Sequence, residues 1–219
     1  MAYKTILQLL DGSERDDMRL EIAFNFAAID QSHLIVLRCI PPLAYPPMGV
    51  FAVGAVGAIA EAERDYFTDA QQQAKRLRGT VEQRAESHGV SLEWRLEKGF
   101  ADDILPLQAR YADMVIMGQA DPDSEDAAQT RGLPVHTVTA SGRPLLVIPY
   151  AGNFAAPAKY PLIAWNGSRE ASRAVHDAMP LLRRADKVSI LSIDPPDDAH
   201  IAGFDISAHL ARHGVNAEA

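Results

Sequence analysis

The sequence has little cysteine, no excess of basic residues and no long hydrophobic run, and each shortage excludes a class of protein. Cys39 is the only cysteine among 219 residues, so no disulfide can form within the chain, and a reducing compartment is favoured. A formal net charge of -8 argues against a nucleic-acid-binding surface and against attraction to an anionic membrane. The longest apolar stretch, residues 50–60, is too short to span a bilayer. These features predict a cytoplasmic protein.

Signals for secretion and for catalysis are also missing. The first five residues lead directly into a strand pattern, which predicts that there is no signal peptide. No Ser/His/Asp or Cys/His set lies within a supporting motif, and Cys39 falls inside a predicted buried strand, where it is expected to be a small core residue. We therefore expect a protein that is not an enzyme.

What the sequence does contain is an alternation of strand and helix patterns. Apolar runs without helical period predict buried strands, and an alternating run predicts a half-buried one. Between them lie amphipathic helix patterns, of which the longest, residues 59–87, contains Gly79 and is expected to break there. Such alternation predicts a parallel sheet with right-handed crossovers and helices on both faces, a three-layer α/β fold. The predicted strands are residues 3–10, 32–40, 90–98, 113–118 and 143–149.

The chain then repeats its own landmarks in the same order. A strand followed by Asp-Gly-Ser, a strand followed by Pro-Pro, and a helix ending in His-Gly-Val each occur twice, with Asn replacing Asp in the second copy. Such regular self-similarity indicates an internal duplication. The second copy ends inside its third strand. We predict a complete domain at residues 1–150, a linker at 151–158 and the N-terminal half of a second domain at 159–219.

The segment after the fourth strand combines two conflicting signals. Strand 113–118 ends in Gly118 and leads through a loop to a helix, which is how open α/β sheets build phosphate sites. Yet residues 119–126 carry four carboxylates and no glycine. These charges would repel a triphosphate unless Mg²⁺ bridged them, although Arg131 could partly offset them.

Taken together, these motifs resemble the universal stress protein (UspA-like) family in its tandem form, with an incomplete second domain. The resemblance rests on Asp-Gly-Ser after strand one, Pro-Pro after strand two, His-Gly-Val before strand three, Ala-Asp-Met-Val-Ile-Met-Gly as strand four and Arg-Pro-Leu-Leu-Val-Ile-Pro as strand five. It implies a five-stranded parallel sheet of order 3-2-1-4-5, similar to the adenine nucleotide alpha hydrolases. It also implies a homodimer built on the fifth strand, at residues 145–148.

Relatives that bind ATP carry a Gly-x2-Gly-x9-Gly-Ser/Thr run after strand four. Here Gly118 fills the first position, the second falls on Asp121, and the third pair falls on Arg131 and Gly132. Two of the three glycines that let backbone amides reach the phosphates are therefore absent. The resemblance still implies a candidate nucleotide crevice, whose residues are Asp11, Gly12, Ser13, Ile40, Met117, Gly118, Arg131 and Gly132.

Two other groups of residues have competing interpretations. The Asp-Gly-Ser and Asn-Gly-Ser turns could contact a base or ribose, as similar positions do in ATP-binding relatives, or could only cap the following helices. Asp205, His209 and His213 are spaced four residues apart on one helix face and could hold a divalent ion, or Asp205 could be a helix cap.

The sequence therefore predicts a cytoplasmic, non-enzymatic stress-response binding protein with a degenerate nucleotide crevice. It would form a homodimer, contact an unknown protein partner and need no cofactor. The alternative is an ATP- or AMP-binding universal stress protein that uses a non-standard phosphate loop, with Mg²⁺ and slow ATP hydrolysis. A metal- or redox-responsive module, using the helix at 205–213 or Cys39, is a third class.

Overall fold

The computed structural model of the chain describes residues 2–43, 56–124, 130–154, 159–193 and 202–219. The residues from Lys4 to Phe154 form one compact unit, and those from 159 onward belong to another. We call them the first and the second unit. In these described ranges, no helix is long and apolar enough to cross a membrane.

The first unit is built on a five-stranded parallel sheet. Its strands are β1 (Thr5–Leu10), β2 (His33–Ile40), β3 (Ser91–Lys98), β4 (Met114–Gly118) and β5 (Leu145–Ile148). They lie in the order β3-β2-β1-β4-β5, and every pair is parallel. This confirms the predicted fold and strand order. The order reverses between β1 and β4, which is the switch point where open α/β sheets form a crevice at the carboxyl ends of their strands.

Helices connect these strands and cover both faces of the sheet. They are α1 (Asp16–Asp30), α2 (Val56–His88), α3 (Ala101–Ala109) and α4 (Leu133–Ser141). One core cluster packs Leu7 and Leu37 of the sheet with Leu105 of α3 and Leu133 of α4. Because side chains alternate along a strand, residues such as Ile6 and Leu10, which are also buried, face the opposite side. The contacts of α1 and α2 with the sheet complete the three layers.

The predicted break in the second helix was wrong. α2 runs without interruption from Val56 to His88. Gly79 is exposed and nothing surrounds the position of its missing Cβ, so its cost is only the loss of about 1 kcal/mol of helix propensity. Val81 and Ala85, which follow it, are buried, and this packing keeps the helix continuous.

The second unit has a three-stranded parallel sheet of its own. Strands β6 (Leu162–Ala164), β7 (Val188–Leu191) and β8 (Ala217–Glu218) lie in the order β6-β7-β8. Helices α5 (Arg169–Leu182) and α6 (Ala202–Arg212) alternate with them. A small core joins Ile163 and Ile190 of the sheet to Val175 of α5 and Leu210 of α6.

Candidate functional site

Six of the eight predicted crevice residues lie at the carboxyl ends of three adjacent strands of the first unit. Ile40 ends β2, Met117 and Gly118 end β4, and Asp11, Gly12 and Ser13 follow β1. The side chain of Met117 is buried in the core, and the carbonyl of Ile40 accepts a hydrogen bond from the Gly99 amide. Asp11 and Gly118, in contrast, face the switch point from its two sides.

A buried guanidinium occupies the space between them. Arg19, on α1, has only 3% of its surface exposed. Its Nη2 donates to Asp11 Oδ1 at 2.5 Å, to Ser13 Oγ at 2.6 Å and to Asp16 Oδ1 at 2.7 Å. A Cβ atom on Gly118 would lie 2.9 Å from Cζ of Arg19, so the guanidinium lies directly against the glycine. We call Asp11, Ser13, Asp16 and Arg19 the Arg19 cluster.

Asp16 occupies the backbone donors at the end of β1. Its Oδ1 accepts the amide of Asp11 at 3.3 Å and its Oδ2 accepts the amide of Gly12 at 2.8 Å. The next amide, of Ser13, donates to Asp11 Oδ1 at 2.9 Å. Free amides at such a turn would be an anion site. Here the chain's own carboxylates already fill it.

The two carboxylates share one guanidinium, and their pKa values move in opposite directions. Burial acts to raise the pKa of Asp11, but the charge of Arg19 and hydrogen bonds from Ser13 and Arg19 lower it overall. Burial and then the charge of Asp11 raise the pKa of Asp16 to about 6, against the opposing effects of Arg19 and of the Gly12 amide. The cluster therefore combines a firmly ionised carboxylate with one that takes up a proton in mildly acidic solution.

This arrangement gives the Arg19 cluster a defined pH dependence. The pKa of Asp16 lies near 3.8 when the chain is unfolded and at about 6 when it is folded, so the folded state binds the extra proton between these values. The contribution of Asp16 to stability is thus present below pH 4 and is lost as the pH rises through 6. As the pH rises from 4.5 to 7.5, we expect the free energy of unfolding of Asp16→Asn to increase relative to that of the native protein, by on the order of 2 kcal/mol.

Urea unfolding at several pH values measures this difference. Asp17→Asn, which removes an exposed carboxylate from the same turn of α1, is the matched control. A difference between Asp16→Asn and the native protein that stays constant from pH 4.5 to 7.5 would show that Asp16 has no raised pKa.

A second arginine covers the turn from the side of β2. Arg38 Nη1 donates to the carbonyl of Leu10 at 3.2 Å. A Cβ on Gly12 would lie 2.6 Å from Arg38 Nη2, and Gly12 has a φ of +88°. Only glycine fits this position, both because of its left-handed backbone and because of the adjacent guanidinium.

Among the described residues, the rest of the predicted phosphate loop makes no contact with the Arg19 cluster that the structure shows. Arg131 and Gly132 immediately precede α4, and both are exposed. Asp121 stabilises its own loop, since its carboxylate accepts the amide of Asp123 at 3.0 Å. Residues 125 and 126, the other acidic positions of the loop, lie outside the described residues.

The corresponding turn of the second unit lacks both the carboxylate of Asp16 and the guanidinium of Arg19. Aligning Asn166-Gly167-Ser168 with the Asp-Gly-Ser turn places Ala171 at the position of Asp16 and Ala174 at that of Arg19. Ser168 is a plain helix cap there, because its Oγ accepts the amide of Ala171 at 3.1 Å. The fold therefore does not require a carboxylate or an arginine at these positions, and both are specific to the first unit.

The other candidate sites have weaker geometry. The rings of His209 and His213 lie 4.7 Å apart, centroid to centroid, and Asp205 is exposed at the start of α6. Among the residues that the structure describes, no three His, Cys, Asp or Glu side chains form a group that could hold a metal ion. Burial raises the pKa of the Cys39 thiol to about 11, so that little reactive thiolate forms at neutral pH.

Sequence reasoning missed the three charged residues that shape the site. The predicted crevice included none of Asp16, Arg19 and Arg38. A signal did exist, because Arg19 precedes Ala23 by four residues and so lies on the apolar stripe of α1. A basic residue on a buried stripe needs an acidic partner, and Asp16 lies about one helical turn before Arg19.

Comparison with known proteins places this site in a family context. Residues 2–128 match the profile of the universal stress protein family, and no curated protein sequence matches the chain. The chain is similar in fold to a universal stress protein from Archaeoglobus fulgidus, with a TM-score of 0.75 and 15% identity, over 98% of this chain and 74% of that one. For the hypothetical protein MJ0577 the TM-score is 0.55 and the identity 18%, over 70% of this chain and 100% of that one.

A more distant match is a universal stress protein family protein from Arabidopsis thaliana with AMP bound. Its TM-score is 0.42 and its identity 10%, over 68% of this chain and 93% of that one.

The family profile covers more than half of the sequence, and the first unit has the five-stranded parallel sheet expected for that family. The chain therefore belongs to the universal stress protein family.

Proposed function

We propose that this chain is a non-enzymatic, cytoplasmic stress-response protein that acts through protein contacts and does not take ATP into the crevice of its first unit. The observation that carries the proposal is the Arg19 cluster. Its guanidinium lies against Gly118, where a phosphate loop would begin, and its carboxylates hold the backbone amides that an anion would need. The single, buried cysteine supports a reducing compartment.

Charge supports the same proposal. A nucleotide phosphate entering the crevice would meet Asp11 and Asp16, and would have to compete with both for one guanidinium. Each of these pairs is at least partly shielded from solvent, so an incoming anion would disrupt strong charge-assisted hydrogen bonds. Two of the three loop glycines that would compensate for this cost are absent.

Thermal unfolding in the presence of nucleotides tests the proposal. A ligand held at about 100 times its Kd stabilises the folded state by about 2.7 kcal/mol, which raises the melting temperature by several degrees. We expect no change in melting temperature with millimolar Mg-ATP, AMP or cAMP. A clear rise in the melting temperature of the native protein would instead favour the alternative function, nucleotide binding at the switch point.

We further propose that the protein forms a homodimer through β5. This strand is at the edge of the sheet, and Val147 is 37% exposed, so both unpaired backbone groups and apolar surface are available for a second copy. Light scattering at micromolar concentration should give the mass of a dimer, and Val147→Lys should shift the mass towards that of the monomer. Glu97→Lys, on the opposite edge strand β3, is the control. A monomeric native protein would contradict this interface.

A further inference from the structure

The chain that follows β5 turns back towards the start of α1. Residues 149–154 leave the sheet at β5, and β5 is separated from β1 by β4. Adjacent strands lie about 4.8 Å apart, so these residues reach a helix that begins two strands away, on the other side of the switch point. We call residues 149–154 the strap.

Two contacts attach the strap to α1. Nη2 of Arg15 donates a hydrogen bond to the carbonyl of Gly152, and the amide of Phe154 points at Sδ of Met18, 3.4 Å away. The same Nη2 of Arg15 lies 3.9 Å from this sulfur. Arg15 and Met18 are one helical turn apart, so the strap is held at two points along the first turn of α1.

The strap also has a conformation that only glycine allows at its centre. Gly152 has a φ of +90°, and a Cβ there would lie 3.1 Å from the ring of Phe154. An alanine would therefore be strained both by its backbone and by the aromatic ring. The bend at Gly152 is what directs Phe154 towards Met18.

The Ser13 side chain links Arg15, which holds the strap, to Arg19. The amide of Arg15 donates to Ser13 Oγ at 3.3 Å, and the same oxygen accepts from Arg19 Nη2 at 2.6 Å. The carbonyl of Arg15 accepts the amide of Arg19 at 3.1 Å, and Asp16 is the next residue in the chain. Any displacement of Arg15 therefore acts on the hydrogen bonds that close the switch point.

We infer that the strap holds the Arg19 cluster in its closed arrangement, so that release of the strap opens the switch-point crevice. When the strap lies on α1, Arg15 is fixed and the cluster stays closed. When the strap leaves α1, Arg15 loses the Gly152 carbonyl and the turn at Ser13 loosens. The switch-point crevice of the first unit is then open to a ligand, whether or not that ligand is a nucleotide.

Hydrogen exchange on the full chain tests this coupling from both ends. Arg15→Ala removes the contact on the helix side, and Gly152→Ala removes the bend on the strap side. In each variant we expect exchange at Phe154, and also at Asp11 and Gly12, to accelerate by about tenfold, because local opening sets these rates. Chymotrypsin cleavage after Tyr150 and Phe154 should accelerate in parallel.

Coupling between two parts of a protein is reciprocal, which adds a second requirement. Ser13→Ala, which removes the hydroxyl that joins Arg15 to Arg19 and leaves the strap residues unchanged, should also accelerate exchange at Phe154. Arg64→Ala, which replaces an exposed arginine on α2, is the control and should change none of these rates. The inference is overturned if the strap variants exchange at the native rate at Phe154. It is equally overturned if they open the strap and leave Asp11 and Gly12 unchanged.

Discussion

Replacing Arg19 by alanine is expected to destabilise the first unit by about 3 to 5 kcal/mol, the cost of removing one partner from a buried ion pair. Asp11 and Asp16 would be left facing each other without a counter-charge, and Asp16 has only 11% of its side chain exposed. The loss should be smaller at pH 5 than at pH 7.5, because protonation of a carboxylate relieves the repulsion.

Urea unfolding followed by Trp94 fluorescence measures this effect. Trp94 lies on β3 of the first unit, and a Trp165→Phe background removes the only other tryptophan of the chain. Arg78→Ala is the control, because Arg78 forms an exposed pair with Glu82 at 2.7 Å that is worth no more than about 0.5 kcal/mol. A loss on Arg19→Ala as small as that of the control would show that the cluster does not hold the first unit together.

Replacing Gly118 by alanine should have the second largest effect, about 2 to 3 kcal/mol or more, because overpacking at a rigid contact is costly. The new Cβ would lie 2.9 Å from Cζ of Arg19 and 3.3 Å from Oδ2 of Asp11. Neither group can move away without breaking the hydrogen bonds of the cluster. The same unfolding measurement detects this loss.

A double-mutant cycle separates the two possible reasons for glycine at this position. If Gly118 is required because Arg19 lies against it, adding Gly118→Ala to Arg19→Ala should cost much less than adding it to the native protein, with a coupling free energy of about 1 to 3 kcal/mol. If the two losses are simply additive, the glycine is required by something other than the guanidinium. Gly132→Ala is the control, since a Cβ there meets no atom within 4 Å.

The order of strands and helices in the first unit could be predicted from its sequence, because the local strand and turn patterns agree with the overall parallel fold. The apolar runs at β1, β2 and β4 are bounded by polar turns, and the spacing between them leaves room only for crossover helices. The long helix shows the opposite case, where a local signal at Gly79 predicted a break and the packing of Val81 and Ala85 prevented it. Propensity at one residue is a weak term compared with burial of a whole helix face.

The sequence predicted where the site lies in the fold, but it did not predict which side chains occupy the crevice. Asp11, Gly12 and Gly118 were placed at the switch point by the strand pattern and by the family resemblance. The sequence also showed that the phosphate loop lacks two of its three glycines. The position of Arg19 on the apolar stripe of α1 indicated burial, but it could not show which groups the guanidinium contacts, because a long side chain on a helix can extend in several directions. That choice depends on Asp11, Asp16 and Gly118 meeting in space.

The two units differ at the residues that fill the turn after their first strand. The turn after β6 keeps Gly and Ser but has Ala171 and Ala174 where the first unit has Asp16 and Arg19. A double variant of the first unit, Asp16→Ala with Arg19→Ala, would therefore give it the residues of the second. It also removes a buried acid together with a buried base, so it leaves fewer unpaired charges than Arg19→Ala alone.

The measurement that tests the account most directly is a calorimetric titration of the native protein with Mg-ATP, together with nucleotide extraction from the fresh preparation. A crevice filled by Arg19 and its carboxylates predicts no co-purified nucleotide and no binding heat up to millimolar ATP. The double variant, titrated alongside, shows whether emptying the crevice is enough to restore binding. Micromolar binding by the native protein, abolished by Arg131→Ala, would contradict the account and show that the acidic loop folds around the phosphates.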